Sequence, residues 1–464
     1  MRDLSSRLGS SQGQGAAAVL LFAVYVGTAF MNLRPLALVA VVASLALAHA
    51  SLRNPTLHES SYARLPMGLI AAAALTGAQL LATAGLYLLT PVFVAVAVLA
   101  TLPHRFAVAR AARIVLPPLL AALAVWWLAR DEPRIDVHVF LTDGARALLH
   151  GVNPYSIDFP NIYGPEETAQ YYGPDVVQDG RLAFGFPYPP LLLLTALPGY
   201  LLGDVRLSSA IAVTVVGGWL LWRSHTTSGR RAAVLLLCLP GLPSLFAGAW
   251  VEPVVVALLA VVVLAARRER WVVAAVALGL LYVSKQYFLV ALPCLWLLRP
   301  YVTRGRLLAF VGTGAVVTLP FIAWSPASWW SSVVTLQFQQ PFRPDSTSIV
   351  AELAEVFGWA DPTWAGPVSL AAGFAVALVL ARTLRPGVAT FSLALGLCLA
   401  VTFLLSKQAF LNYYLVCAGA LVLAAWCRAE EAPSETGMPP AHGERAAYPV
   451  VRGGAEAPVG SAPQ

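Results

Sequence analysis

The sequence predicts an all-α polytopic membrane protein, and three observations lead there. The 464-residue chain is 58% hydrophobic and only 11% charged, against about 25% charged residues in a soluble globular domain. Its mean hydropathy is +0.72. Apolar runs recur along almost its whole length, joined by short links that carry arginine. This pattern excludes a soluble enzyme, a disordered chain and a nucleic-acid binder. The formal charge of +7 does not imply an acidic partner, because most arginines sit between apolar runs. The five cysteines, Cys238, Cys294, Cys398, Cys417 and Cys427, lie in or at the ends of those runs without disulfide or metal-ligand spacing, so they read as inert buried thiols.

The first fifteen residues are polar and lead into an apolar run at 16–33. A second run follows Arg34 at once, so the first reads as a retained transmembrane helix and not as a cleaved signal peptide. A span needs about 20 apolar residues. The expected spans are 16–33, 36–52, 67–89, 90–103 and 114–130, then 231–249, 250–266, 270–283, 284–298, 307–324, 366–383, 388–405 and 409–426. Residues 188–222 make either one long broken span or two short ones, giving 12–14 helices in all. Arginines cluster at 53/64, 105/110/113, 223/230/231, 267/268/270, 299/304/306 and 382/385. Placing these clusters in the cytoplasm sets 131–187 and 325–365 outside, provided that 188–222 crosses once. The expected organisation is 1–113 N-terminal transmembrane helices, 114–426 a membrane core, and 427–464 a disordered cytoplasmic tail rich in Pro, Gly, Ala and Glu.

The first outer loop, 131–187, holds nine of the chain's 23 acidic residues. It opens at Asp136, and residues 137–150 have amphipathic helical spacing, with Phe140, Leu141, Leu148 and Leu149 placed to lie on lipid. Gly151 ends that helix and Asn153-Pro154-Tyr155 turns the chain. Asp136 and Asp143 fall almost two turns apart on one face. Each reads as a catalytic carboxylate or, more blandly, as a helix cap and a solvated acid. The second loop, 325–365, carries Trp329, Trp330, Trp359 and Trp364, a density that fits a segment along the membrane interface.

The chain has two lysines against 28 arginines, and both stand in one pattern: Ser284-Lys285-Gln286-Tyr287-Phe288 and Ser406-Lys407-Gln408-Ala409-Phe410. Both lie at outer ends of spans. A compact ammonium at membrane depth suits a phosphate, and the alternative is snorkelling to the interface. Glu252, in Gly248-Ala249-Trp250-Val251-Glu252-Pro253, is either a ligand-binding acid or a solvated helix start. His138 and His150 do not form a metal-binding pair. No phosphate-cradling or dinucleotide fingerprint is present.

The series Asp136-Val137-His138-Val139-Phe140, Gly144 to Gly151, Asn153-Pro154-Tyr155 and Phe186-Pro187-Tyr188-Pro189-Pro190 resembles the GT-C superfamily of membrane glycosyltransferases. It is most similar to glycosyltransferase family 87, which uses polyprenyl-phosphate-mannose. The resemblance spans roughly 114–426 and implies a GT-C-like transmembrane helix bundle with 131–187 as the catalytic outer loop. It implies transfer of a sugar, mannose in that family, from a polyprenyl-phosphate donor to a lipid or glycan acceptor, with inversion, at the extracytoplasmic face of the cell membrane. No cofactor is implied beyond the lipid-linked sugar, and metal dependence is left open. Asp136 would be the base. Lys285, Gln286, Lys407, Gln408, Tyr155, Tyr188, Asp143 and Glu252 would bind substrate, with Tyr155, Tyr163 and Trp329 stacking on sugar faces. The four spans before residue 114 have no counterpart in that pattern. The rival reading is a transporter or lipid-linked-sugar flippase, for which the sequence shows no inverted repeat. A ligase moving a whole glycan would share the fold and donor chemistry.

Overall fold

The computed structural model describes residues 65–82, 85–130, 133–173 and 176–431. The expected spans at 16–33 and 36–52, and the tail from 432, lie outside the described residues.

The described residues fold mostly into helices: α1 (Leu65–Ala82), α2 (Thr90–Ala100) and α3 (Ala107–Leu128) precede the first long loop. That loop carries α4 (Asp136–Leu149), α5 (Pro165–Tyr171) and three two-residue strands, β1 (Phe159–Pro160), β2 (Val177–Gln178) and β3 (Arg181–Leu182). The strands pair antiparallel in the order β1-β3-β2, with Phe159 and Val177 both opposite Leu182. Then come α6 (Pro190–Leu201), α7 (Leu207–Arg223), α8 (Thr227–Leu237), α9 (Leu242–Ala247), α10 (Glu252–Arg267) and α11 (Trp271–Tyr282). A 3₁₀ helix, Gln286–Tyr301, leads to α12 (Arg304–Trp324). The second loop holds α13 (Pro326–Trp330), a π-helical turn, α14 (Leu336–Gln339) and α15 (Ile349–Phe357), before α16 (Ala365–Thr383), α17 (Val388–Leu404) and α18 (Leu411–Ala429).

A helix stands at every expected span that falls on described residues, but most are shorter than expected. Among the described residues α3, α12, α16 and α18 are long and apolar enough to cross a bilayer alone, and the α6–α7 pair adds a broken fifth. The α6–α7 bend is 98°. With segments at right angles, 188–222 is either one broken span or a re-entrant loop. The expected span at 231–249 is likewise broken, between α8 and α9, where Gly241 takes a left-handed φ of 84°. Sixteen residues suffice for the 3₁₀ segment. At about 2.0 Å per residue they reach about 32 Å, where an α-helix of equal length reaches about 24 Å, and the hydrocarbon core is about 30 Å thick.

The most enclosed part of the bundle is α17 with α18 and α10. Ser392 Oγ donates to the Ala420 carbonyl at 2.8 Å, and Gly419 faces Val256 at a distance only a glycine allows. At the end where the arginine clusters gather, buried Arg113 donates to the carbonyls of Ala100 and Leu102. Arg230 donates to those of Thr101 and His225. Glu430 accepts from the His225 and Thr226 amides there, so ordered structure continues past the boundary expected at Cys427. At the opposite end the first residues of α4, α10, the 3₁₀ helix and α18 come together under the two loops.

The amphipathic helix α4 begins at Asp136 and closes before Gly151, whose φ is 72°. Of the four residues expected on lipid, Phe140 and Leu141 are covered by protein, whereas Leu148 is half-buried and Leu149 exposed. The Phe140 ring is 4.9 Å from Phe159 and 5.7 Å from Phe184. The loop folds back over its own helix. Trp330, Trp359 and Trp364 are exposed, consistent with an interfacial second loop.

Candidate active site

Asp136 is the first helical residue of α4, after Ile135 in extended conformation. One carboxylate oxygen accepts from the Val137 N–H at 2.7 Å and the other from the Tyr172 hydroxyl at 2.6 Å. The Asp136 N–H donates to the Tyr163 hydroxyl oxygen at 3.1 Å. Tyr163 and Tyr171 meet edge to face with centroids 4.8 Å apart, so α5 and the residues flanking it present a phenolic wall near the carboxylate. Burial raises the Asp136 carboxyl above its usual range, against the opposing pull of Tyr172, the Val137 amide, Arg343 and Tyr163. Burial and the Asp136 charge also push the Tyr163 and Tyr172 phenols up, which keeps both protonated as donors.

A base works when deprotonated, so activity falls as pH drops through its pKa. With Asp136 in that role, the raised value is expected to place the acid limb of kcat/KM above the normal carboxylate range. Tyr172→Phe removes a donor that favours the ionised form, so that limb moves to still higher pH. An unchanged or lower limb in the Phe variant contradicts the contact.

Arg343, from the second loop, was not singled out from the sequence. Its guanidinium grips Asp345 through two contacts, at 2.7 and 2.6 Å. It lies over the rings of Tyr171 at 4.1 Å and Phe410 at 4.7 Å. Burial pushes Asp345 up, but Arg343 outweighs it and holds the carboxyl low. The Arg343 N–H donates to the Lys407 carbonyl at 3.1 Å, and Thr347 N–H to the Ala409 carbonyl at 2.7 Å. This zips residues 343–347 to 407–409.

Lys285 and Lys407 share no partner despite their matching pentapeptides. Lys285 lies 3.1 Å from Glu252, both enclosed in protein, and 4.2 Å from the centre of the Tyr188 ring. Lys407 donates to the Gln340 carbonyl at 2.5 Å, and burial lowers its ammonium pKa while Asp361 opposes that. What the pentapeptides have in common is the glutamine. Gln286 donates to the Val333 carbonyl at 3.1 Å and Gln408 to the Pro341 carbonyl at 2.8 Å, so each fastens the second loop. In this structure their amides hold the scaffold.

Glu252 opens α10 after a tight turn in which Ala249 adopts a φ of 55°. A non-glycine residue there is strained, a feature that gathers at functional sites. Tyr188 lies within electrostatic reach of Asp136, Tyr413, Glu252 and Tyr163, so it joins the Asp136 and Glu252 sides of the site. Two expected residues stand apart. Tyr155 is buried, its hydroxyl on the Tyr188 carbonyl at 2.8 Å and its ring against Phe186 and Phe321, which leaves no face for a sugar. Asp143 pairs with Arg146 one turn on along α4 at 2.8 Å. Asn412 was also missed: it is buried, and its amide atoms have no hydrogen-bond partner among the described residues. No cluster of three or more His, Cys, Asp or Glu placed to hold a metal occurs among the described residues.

No protein-family model and no curated protein matches the chain. The resemblance to glycosyltransferase family 87 therefore stands on its short motifs. Among solved structures, ArnT from Cupriavidus metallidurans bound to undecaprenyl phosphate is similar at 18% identity, with a TM-score of 0.42. The match covers 68% of this chain and 59% of that one.

Proposed function

We propose that the protein is an integral-membrane glycosyltransferase that moves a sugar from a polyprenyl phosphate to a lipid or glycan hydroxyl at the extracytoplasmic face. The motif resemblance points to mannose. The observation that carries the reading is the half-buried Asp136 carboxylate, set among phenolic donors and within reach of the Arg343 cation. A lipid-borne donor arrives at the bilayer edge, and this group stands at the ends of the spans opposite the arginine clusters. That placement supports an extracytoplasmic site.

In this reading Asp136 takes the proton of the acceptor hydroxyl as that oxygen bonds to the anomeric carbon. The bond from that carbon to the phosphate oxygen breaks, the phosphate leaves with the electron pair, and the anomeric centre inverts. Asp136 then returns the proton to water. Leaving-group charge needs cations, and the structure suggests Lys407 with Arg343 for this role. Lys285, already neutralised by Glu252, fits it less well. Lys407 gives one of its three N–H donors to Gln340, and Arg343 gives Asp345 two of its five.

Loss of one charge-assisted contact costs about 1.5–3 kcal/mol. With labelled polyprenyl-phosphate-mannose and membranes carrying the protein, Lys407→Ala and Arg343→Ala are each expected to weaken donor use roughly ten- to a hundredfold. Lys407→Arg restores it only in part, since a forked guanidinium does not replace a point charge. Wild-type donor dependence in both alanine variants removes the phosphate role from this corner.

A further inference from the structure

Glu252 is fully enclosed, yet neither carboxylate oxygen has an aligned hydrogen bond among the described residues. Lys285 balances its charge from 3.1 Å without supplying that geometry. The Tyr287 hydroxyl is also buried and without a hydrogen-bond partner among the described residues. The Tyr287 ring is held edge-on by Phe403 at 5.2 Å and Tyr413 at 5.9 Å. Tyr287 and Tyr413 both lie within electrostatic reach of Glu252. Buried polar groups in native proteins are nearly always paired, so a cluster of unpaired ones in one place calls for a partner from outside the chain.

The chemistry of that partner follows from the groups. A carboxylate accepts only, and a phenol both donates and accepts. A pair of neighbouring hydroxyls, each able to give one hydrogen and take another, complements both. A second anion would meet the Glu252 charge, and an apolar group would leave every atom unpaired. Tyr188 ties this place to the reacting centre, because its ring carries the Lys285 ammonium on one side of a site that reaches Asp136.

We propose that Glu252, Lys285 and Tyr287 form a polyol subsite that binds the hydroxyls of the sugar carried by the lipid phosphate. Glu252 accepts from the sugar hydroxyls, Lys285 orients the carboxylate from 3.1 Å, and Tyr287 completes the ring of contacts. The proposal rests on the glycosyltransferase reading above and assigns the sugar, not the phosphate, to this end of the site.

The test titrates the full-length protein in micelles with two probes, polyprenyl-phosphate-mannose and bare polyprenyl phosphate. Wild-type protein is expected to bind the mannosyl lipid more tightly. Tyr287→Phe should weaken the mannosyl lipid about three- to tenfold and leave the bare lipid unchanged. Because its hydroxyl is unpaired in the free protein, the same variant should melt no lower than wild type. Glu252→Gln should show a larger loss, and Tyr287→Phe remains decisive if that variant folds poorly. Equal affinity for both lipids in wild type, or a Tyr287→Phe variant that still prefers the mannosyl lipid undiminished, overturns the subsite and leaves the phosphate reading standing. Binding of neither lipid overturns both.

Discussion

Asp136→Asn is expected to lower turnover by about 10²–10⁴-fold, the usual contribution of a positioned general base, while expression and lipid binding stay near wild type. Asparagine keeps the size of the side chain and one carbonyl oxygen. The contact from the Val137 N–H at 2.7 Å can therefore persist, and the start of α4 with it. What is lost is the basic carboxylate that faces Tyr172. Asparagine caps a helix as well as aspartate does, so a residue that served only as a helix start would tolerate the change. Asp143→Asn supplies the internal comparison, because Asp143 lies on the same helix but pairs with Arg146 at the surface; it should be mild. A near-normal rate in Asp136→Asn removes the residue from the chemistry and returns the acid–base role to Asp143 or Glu252.

The second large effect is on stability. Lys285 and Glu252 form an ion pair with 5% and 0% of their side chains exposed. Removing one partner of such a pair strands a buried charge and costs about 3–5 kcal/mol, whereas replacing both with apolar residues of similar size is often neutral. Lys285→Met should therefore lower the Tm sharply, and the double variant Glu252→Leu with Lys285→Met should recover most of the loss. If the double variant unfolds as early as the single one, the pair is not what holds α10 to the start of the 3₁₀ segment. A recovered double variant should still fail to prefer the mannosyl lipid, which separates the pair's part in folding from its part in binding.

Helix placement was legible because apolar length alone marks a span, and the start and stop of α4 were legible from Asp136 and Gly151. Periodicity, however, identifies a face and not what covers it. Phe140 and Leu141 were expected on lipid, and Phe159 and Phe184 cover that face instead. The glutamines were hidden by the same limit: the matching pentapeptides look like a ligand motif, and only tertiary contacts show Gln286 and Gln408 tethering a distant loop. Arg343 did have a signal. It is the sole basic residue of 325–365, and an arginine in a loop that the positive-inside pattern would place outside stands out for that reason. The Glu252–Lys285 pair joins residues of different spans, and no local pattern reports such a contact.

The most direct measurement of the central claim reconstitutes the protein in liposomes with polyprenyl-phosphate-mannose and an acceptor extract, then follows the bond from sugar to phosphate. The account predicts release of free polyprenyl phosphate in step with the mannosylated product, inversion at the anomeric carbon, and loss of both in Asp136→Asn. Mannosyl lipid that appears on the far leaflet with its sugar–phosphate bond intact, at a rate that Asp136→Asn leaves unchanged, would contradict the account and make the protein a flippase.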